Sequence, residues 1–311
     1  MNLVDYPISY FNSLKIRMVG FLRYKKVYKN YFQVIGKVLH NDYPFNAILR
    51  SGEIVKITDP FYNKLISNGL FPFIQIKNEI LEIKKINLFD GLLFSGHQYG
   101  DILAVFFEKD YEFLNARNKI VIDIGANIGD TAIYFILMGA KKVIGLEPSQ
   151  EIFRHAEKNL KLNNMSSKVN LFLAGCSTSK TGIESNYAEL ILENIPKSNS
   201  IPNDNKKIQT LSLEDLIKDY SNEKLILKID CEGCEYDNIL NTPDHILKKF
   251  DQIQIEYHYG YADLKKKLQK CGFKVSISKP TGNAYFYPLS ALKIHVGYLY
   301  AEKHEIILNE N

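Results

Sequence analysis

From about Asn118 onward, short apolar runs alternate with amphipathic stretches, the pattern of successive parallel βαβ units. Lys119–Ile124 reads as a fully buried strand, and Asp130–Gly139 as a helix that Gly139 closes in a left-handed cap. Lys142–Leu146 is a second strand, and Pro148 is placed at the first turn of a helix running to about Leu162. Val169–Ala174, Leu225–Asp230 and Gln252–His258 supply three more strands. Tyr261–Gln269 forms a basic helix ending near Gly272, and Phe273–Ser278 with Ile294–Ala301 make a closing pair. Five parallel strands with a terminal pair predict a doubly wound sheet with an antiparallel edge. The polar segment Asn194–Lys207, with two prolines, is a long loop between the third and fourth strands, a linker or a lid.

The first hundred residues follow a different pattern. Ile16–Phe32 interleaves Arg17, Arg23, Lys25, Lys26 and Lys29 with Phe21, Tyr24, Tyr28, Tyr31 and Phe32. Such a helix could grip an anionic substrate, a membrane surface or RNA, but its plainer account is aromatics docked on a core with lysines in water. Ala47–Thr58 and Ile74–Ile83 show the partial alternation of short strands. Residues 1–99 are therefore expected to form an α+β extension, a substrate or partner module, ahead of a catalytic domain over 100–311.

Composition narrows the classes. With 39 Lys and Arg against 35 Asp and Glu in 311 residues, the charge is too balanced to argue for nucleic acid. No uncharged apolar run approaches a membrane span, and the opening residues lack the basic start and apolar run of a signal peptide. A reducing cytoplasm, with Cys176, Cys231, Cys234 and Cys271 as free thiols, is the default expectation. The pair Cys231-Glu232-Gly233-Cys234 has no second Cys or His pair to complete a zinc site, so buried thiols account for it best.

The chemistry concentrates at three strand ends. In Val121-Ile122-Asp123-Ile124-Gly125-Ala126-Asn127-Ile128-Gly129-Asp130 a strand delivers an acid, then a glycine turn, then a helix. Gly125 would let backbone approach a ligand, Gly129 would let the helix pack closely, and the helix start would offer N–H groups. A dinucleotide site wants G-x-G-x-x-G after an uncharged strand. Here the middle glycine is missing, and Asp123 would repel a pyrophosphate while attracting a ligand with an ammonium and a sulfonium, S-adenosylmethionine (SAM). Glu147, 22 residues after Gly125, ends the next strand where a carboxylate can accept both ribose hydroxyls. In Leu227-Lys228-Ile229-Asp230-Cys231-Glu232, period-two alternation puts Lys228 and Asp230, with Glu232 as a further candidate, on one face, the acids being the natural partners of the lysine. Glu256 and His258 share parity at the fifth strand end. His258 is nominated as general base, with Asp230 and Glu256 beside it as catalytic candidates. No resident metal is expected, although Asp230, Glu256 and His258 could cradle a divalent cation that orients a substrate hydroxyl.

These blocks, Val121–Asp130, Leu146-Glu147-Pro148 and Lys228–Glu235, resemble the signature blocks of the FkbM-type methyltransferase family, and Leu211–Leu216 resembles the short block before the third signature. The likeness covers roughly Gly100 to Ala301. It implies a class I Rossmann-like methyltransferase fold (a doubly wound, mostly parallel seven-stranded sheet) with SAM as donor. By matched position, Asp123, Gly125, Asn127, Gly129 and Glu147 would line the cofactor, and Asp130 adjoins them. O-methylation of a hydroxyl on a sugar, glycan or small metabolite is the expected reaction, with direct in-line transfer. An RNA ribose 2'-O-methyltransferase and a non-catalytic SAM-binding module are the alternatives. The partner expected is a small-molecule or glycan substrate, nucleic acid being disfavoured, and the oligomeric state is left open.

Overall fold

A computed structural model describes residues 20–84, 89–179, 208–278 and 296–303. The chain divides into two compact units, Met1–Leu103 and Ala104–Asn311. The expected loop Asn194–Lys207 and residues 16–19 of the basic stretch lie outside the described residues.

In the first unit, residues 20–27 are helical and are followed by α1 (Tyr31–Leu39). The strands β1 (Phe45–Ile48) and β2 (Ile54–Ile57) form an antiparallel hairpin. After α2 (Pro60–Ser67), an antiparallel three-stranded sheet joins β3 (Ile74–Lys77), β4 (Ile80–Ile83) and β5 (Leu92–Ser95). Asp59 starts α2 by accepting a hydrogen bond from the Tyr62 amide, with proline at the first helical position. The aromatics of the basic stretch divide: Tyr28 is buried and its hydroxyl donates to Asn63 Oδ1, whereas Phe21 and Phe32 are exposed. The docked-aromatic account therefore holds for only part of that stretch, which is two helices parted by a turn at Tyr28–Asn30 instead of one.

The second unit is the doubly wound domain. Its strands are β6 (Ile120–Ile124), β7 (Lys142–Leu146), β8 (Val169–Phe172), the short parallel pair β9 (Gly175–Cys176) and β10 (Thr210–Leu211), β11 (Leu225–Ile229), β12 (Phe250–Tyr257), β13 (Phe273–Ile277) and β14 (Gly297–Lys303). The main sheet has seven strands in the order β13-β14-β12-β11-β6-β7-β8. From β8 across to β12 the pairing is parallel, and β14 runs antiparallel to both its neighbours, the edge expected from the sequence. The order reverses between β6 and β11, so a crevice opens there at the carboxyl ends of the strands.

Every residue of β6 and of β11 is buried, because helices cover both faces of a parallel sheet. Those helices are α3 (Asp130–Leu137), α4 (Gln150–Leu162), α5 (Leu213–Ile217), α6 (Cys234–Leu240), α7 (Asp244–Leu247) and α8 (Ala262–Lys270). Gly139 has φ +89° just past the end of α3, the left-handed stop read from the sequence. Pro148 is not in the first turn of α4. Ser149 caps that helix by accepting from the Ile152 amide, since a hydroxyl can satisfy an orphan N–H and a proline cannot. Ser212 and Asp215 form a reciprocal capping box on α5. Among the described residues no helix is long and apolar enough to cross a membrane.

Candidate functional site

The site grows from the register of the two central strands. Parallel pairing of β11 with β6 sets Lys228 beside Asp123. Both side chains are buried, and Lys228 Nζ lies 3.2 Å from Asp123 Oδ1. The Thr131 hydroxyl donates to Asp123 Oδ2 at 2.6 Å. Lys228 also donates to the carbonyls of Gly125 (2.6 Å) and Ile124 (3.3 Å), and its ammonium sits 5.6 Å from the Tyr111 ring centre. Burial works against the lysine's charge, but the carboxylates of Asp123 and Asp230 outweigh it and raise its pKa. Burial likewise raises Asp123, with Lys228 opposing. The sequence assigned Lys228 to Asp230 and Glu232. Its direct ion-pair partner is Asp123, because strand pairing brings that residue alongside whereas Asp230 and Glu232 follow the end of β11.

The turn after β6 holds three left-handed residues, Gly125 (φ +77°), Asn127 (φ +48°) and Gly129 (φ +79°). A Cβ on Gly125 would lie 1.8 Å from the Asp230 carbonyl oxygen, so the absence of a side chain here admits the segment after β11. A Cβ on Gly129 would meet Ala156 at 3.4 Å; this glycine lets the turn lie against α4. The turn's amides also face inward. Gly125 and Ala126 donate to the Leu146 carbonyl, Gly129 donates to that of Ala126, and Asn127 donates to Glu147 Oε2. These four amides are therefore not on offer to a phosphate. The buried Asn159 of α4 fastens the turn from below by donating to the Ile128 carbonyl.

Glu147 stands at the tip of β7, 6% exposed, with Oε1 accepting from the Ser149 amide (2.8 Å) and Oε2 from the Asn127 amide (3.1 Å). Each oxygen keeps a lone-pair direction for a further donor. Burial pushes its pKa up to about 7 against those two bonds. Asp130 is buried at the first position of α3, where its Oδ1 accepts from the Thr131 amide. Asp230, just past β11, accepts from the Tyr111 hydroxyl at 3.3 Å. Asp123, Asp130, Glu147 and Asp230 thus all act on the single ammonium of Lys228.

The catalytic candidates divide. His258 lies one residue beyond the last pleated position, Tyr257, and is free of the strand's alternation. Its Nδ1 is 3.0 Å from Glu235 Oε1 and its Nε2 3.2 Å from Glu232 Oε2. Burial opposes the charged imidazole, yet the two carboxylates prevail and push its pKa up to about 12. Both ring nitrogens thus face carboxylates, an arrangement that favours the protonated ring while no other cation stands there. Glu256 stays within β12, beside Tyr298, whose phenol it helps to raise. Asp230, Glu232 and His258 come within 4.8 Å of one another; the trio proposed from parity, with Glu256, is not the one that forms.

Cys231 and Cys234 form a disulfide, with Cα atoms 5.5 Å apart, in place of the expected free thiols. Glu232 (φ +55°) and Gly233 (φ +124°) turn the chain tightly enough to bring the two together. The Gly233 amide donates to the buried Glu235, which also accepts from the His258 amide. Cys176 and Cys271 are free and buried, as expected. Tyr111 went unnominated, and Glu235 was marked only as part of the acidic block that the resemblance covers. A C-x-x-C astride a glycine turn was the one available signal for the disulfide, and only register could reveal the Asp123–Lys228 pair.

Residues 123–275 match the model of the methyltransferase FkbM domain. Over 46 residues the chain is 41% identical to an uncharacterized protein 158B of Sulfolobus islandicus rod-shaped virus 1, covering 15% of this chain and 29% of that protein, so the chain matches under a third of that relative's length. Among solved structures it is similar to EvdMO1 (14% identity, TM-score 0.36, covering 63% of this chain and 39% of that one). It is similar also to M. jannaschii TYW2 in complex with AdoMet (16% identity, TM-score 0.40, 74% and 89%).

Proposed function

We propose, from the premise that residues 123–275 of this chain are a methyltransferase FkbM domain, that it uses SAM to O-methylate a hydroxyl of a sugar, glycan or small metabolite. The observation that carries the donor is charge. Four acids, Asp123, Asp130, Glu147 and Asp230, lie within electrostatic reach of the one ammonium at the switch point of the sheet, a surplus of acidic groups that a cationic sulfonium and ammonium offset and a pyrophosphate would aggravate. The inward-facing amides of the turn support the same choice, since a dinucleotide site needs such groups aimed at the ligand. The residues therefore fit SAM.

SAM brings a methyl group already activated on sulfur, so the chain's own residues have to bind, align and take up a proton. Glu147 accepts the ribose hydroxyls through its remaining lone pairs. Asp123, neutralised by Lys228, fixes the turn from beneath through the lysine's bonds to the Ile124 and Gly125 carbonyls. Asp230 stands at the carboxyl edge, oriented by the Tyr111 hydroxyl, and receives the proton of the acceptor hydroxyl as the O–C bond forms and sulfur keeps the electrons of the broken C–S bond.

The ribose 2'-O alternative calls for a lysine-centred base. Lys228 is a poor one, because its ammonium is committed to Asp123 and two carbonyls. The chain incubated with methyl-labelled SAM and a panel of sugars, glycans and RNA separates the readings. Label in an O-methyl sugar supports the proposal, and label confined to RNA or absent despite SAM binding overturns it.

A further inference from the structure

The cluster of Asp230, Glu232 and His258 sits at the carboxyl ends of β11 and β12, beside the crevice. We propose that these three side chains bind a divalent cation of the Mn2+ class, which takes the acceptor hydroxyl as a further ligand. This site rests on the O-methylation reading for its purpose, though not for its existence.

Three observations carry it. One atom from each residue, a carboxylate oxygen from each acid and an imidazole nitrogen, lies within 4.8 Å of the others, a spacing that one ion can bridge with small side-chain adjustments. The ligand set of one imidazole and two carboxylates leaves coordination positions for water or substrate, as a catalytic site requires and a structural one does not.

The imidazole is also aimed. His258 Nδ1 faces the fully buried Glu235, whose other oxygen is held by the Gly233 amide. A carboxylate that fixes one ring nitrogen leaves the other, Nε2, pointing at the metal, the outer-shell arrangement common to metal-bound histidines. Here Nε2 points at Glu232 Oε2, 3.2 Å away, and the ion takes the place of the Nε2 proton between them, which leaves to water.

Finally, the two acids differ in how they are held. Asp230 is fixed at the end of β11, with its amide bonded to the Ile124 carbonyl and its carboxylate to the Tyr111 hydroxyl. Glu232 is exposed on the turn that the Cys231–Cys234 disulfide closes, so it can swing onto an ion that the other two already hold.

The cation supplies what the protein side chains lack. A carboxylate alone is a poor match for an alcohol proton, whereas a hydroxyl bound to a divalent ion is far more acidic. The O–H bond breaks with its proton passing to the Asp230 oxygen that the ion does not use and on to water, and the acceptor oxygen takes the methyl carbon while sulfur keeps the electrons of the broken C–S bond.

The test is a titration of the EDTA-treated full chain with Mn2+, followed by electron paramagnetic resonance. One saturable Mn2+ per chain is expected, lost in Asp230→Asn and weakened about 10- to 100-fold in Glu235→Gln. No saturable binding, or binding unchanged in both variants, overturns the site. S-adenosylhomocysteine binding, measured in parallel in Mn2+-free buffer, shows whether each variant has folded. Its retention without a Mn2+ site removes the cation alone, whereas its absence from the wild-type chain removes the donor reading instead.

Discussion

Replacing Lys228 with methionine probes the core of the site most sharply. The substitution keeps the length and packing of the stem but leaves the Asp123 carboxylate, fully buried, with the Thr131 hydroxyl as its remaining direct partner. Stranding one member of a buried pair costs about 3–5 kcal/mol. For a domain the size of unit 2, at about 2–4 °C per kcal/mol, that is a fall in Tm of roughly 6–20 °C. Asp123 can escape by taking up a proton, and its pKa already lies above the ordinary carboxylate value through burial. Since the folded state then holds that proton more tightly than the unfolded chain, the penalty is absent at low pH. It grows as pH rises above about 4, where the unfolded aspartate ionises. Adding Asp123→Asn removes the stranded charge, so the double variant should be more stable than Lys228→Met alone at pH 7, a coupling that a double-mutant cycle of urea denaturation reads directly. A Lys228→Met chain within about 1 kcal/mol of wild type, or a double variant no more stable than the single, would refute this account of the pair.

Other consequences are as direct. Gly125→Ala drives a Cβ to 1.8 Å from the Asp230 carbonyl at a left-handed φ, so Asp230 must shift by about an ångström and turnover should fall about 100-fold. Gly272→Ala, left-handed but in open space, is the control and should leave turnover intact. Glu147, with its pKa raised to about 7, favours the folded state most below its unfolded value of about 4.5. This contribution is lost as pH rises to about 7, by up to about 3 kcal/mol. Glu147→Gln should remove that slope from the pH profile of denaturation, and an unchanged slope would show that the carboxyl is not the source. Reducing the Cys231–Cys234 disulfide opens a very short loop, so its stability contribution should be near 2 kcal/mol, read as a lower urea midpoint in dithiothreitol; a midpoint unaffected by reductant would contradict it.

Much of the fold was legible because parallel strands buried on both faces leave unbroken apolar runs such as Ile120–Ile124 and Leu225–Ile229. Glu147 could be found for a related reason, since ligands of such sheets gather at strand tips. What failed was inference from alternation beyond the last pleated residue. His258 and Glu256 share parity, yet His258 follows the end of β12 and turns to Glu235 on α6. Lys228 was correctly marked as needing an acid, but its partner is decided by register between strands about a hundred residues apart, which alternation within one strand cannot specify. Gly125 and Gly129 do take the left-handed turn conformations that favour glycine. That the space above them is taken by Asp230 and Ala156 depends on which segments cross there, which local sequence does not specify.

The claim on which the rest stands is that the crevice opening between β6 and β11 receives an adenosyl cofactor held by Glu147 at the tip of the adjoining β7. Calorimetric titration of the chain with S-adenosylhomocysteine addresses it most directly. The account predicts one saturable site per chain, weakened at least tenfold in Glu147→Ala and indifferent to NAD. A titration without heat, or a site that NAD displaces, would contradict it.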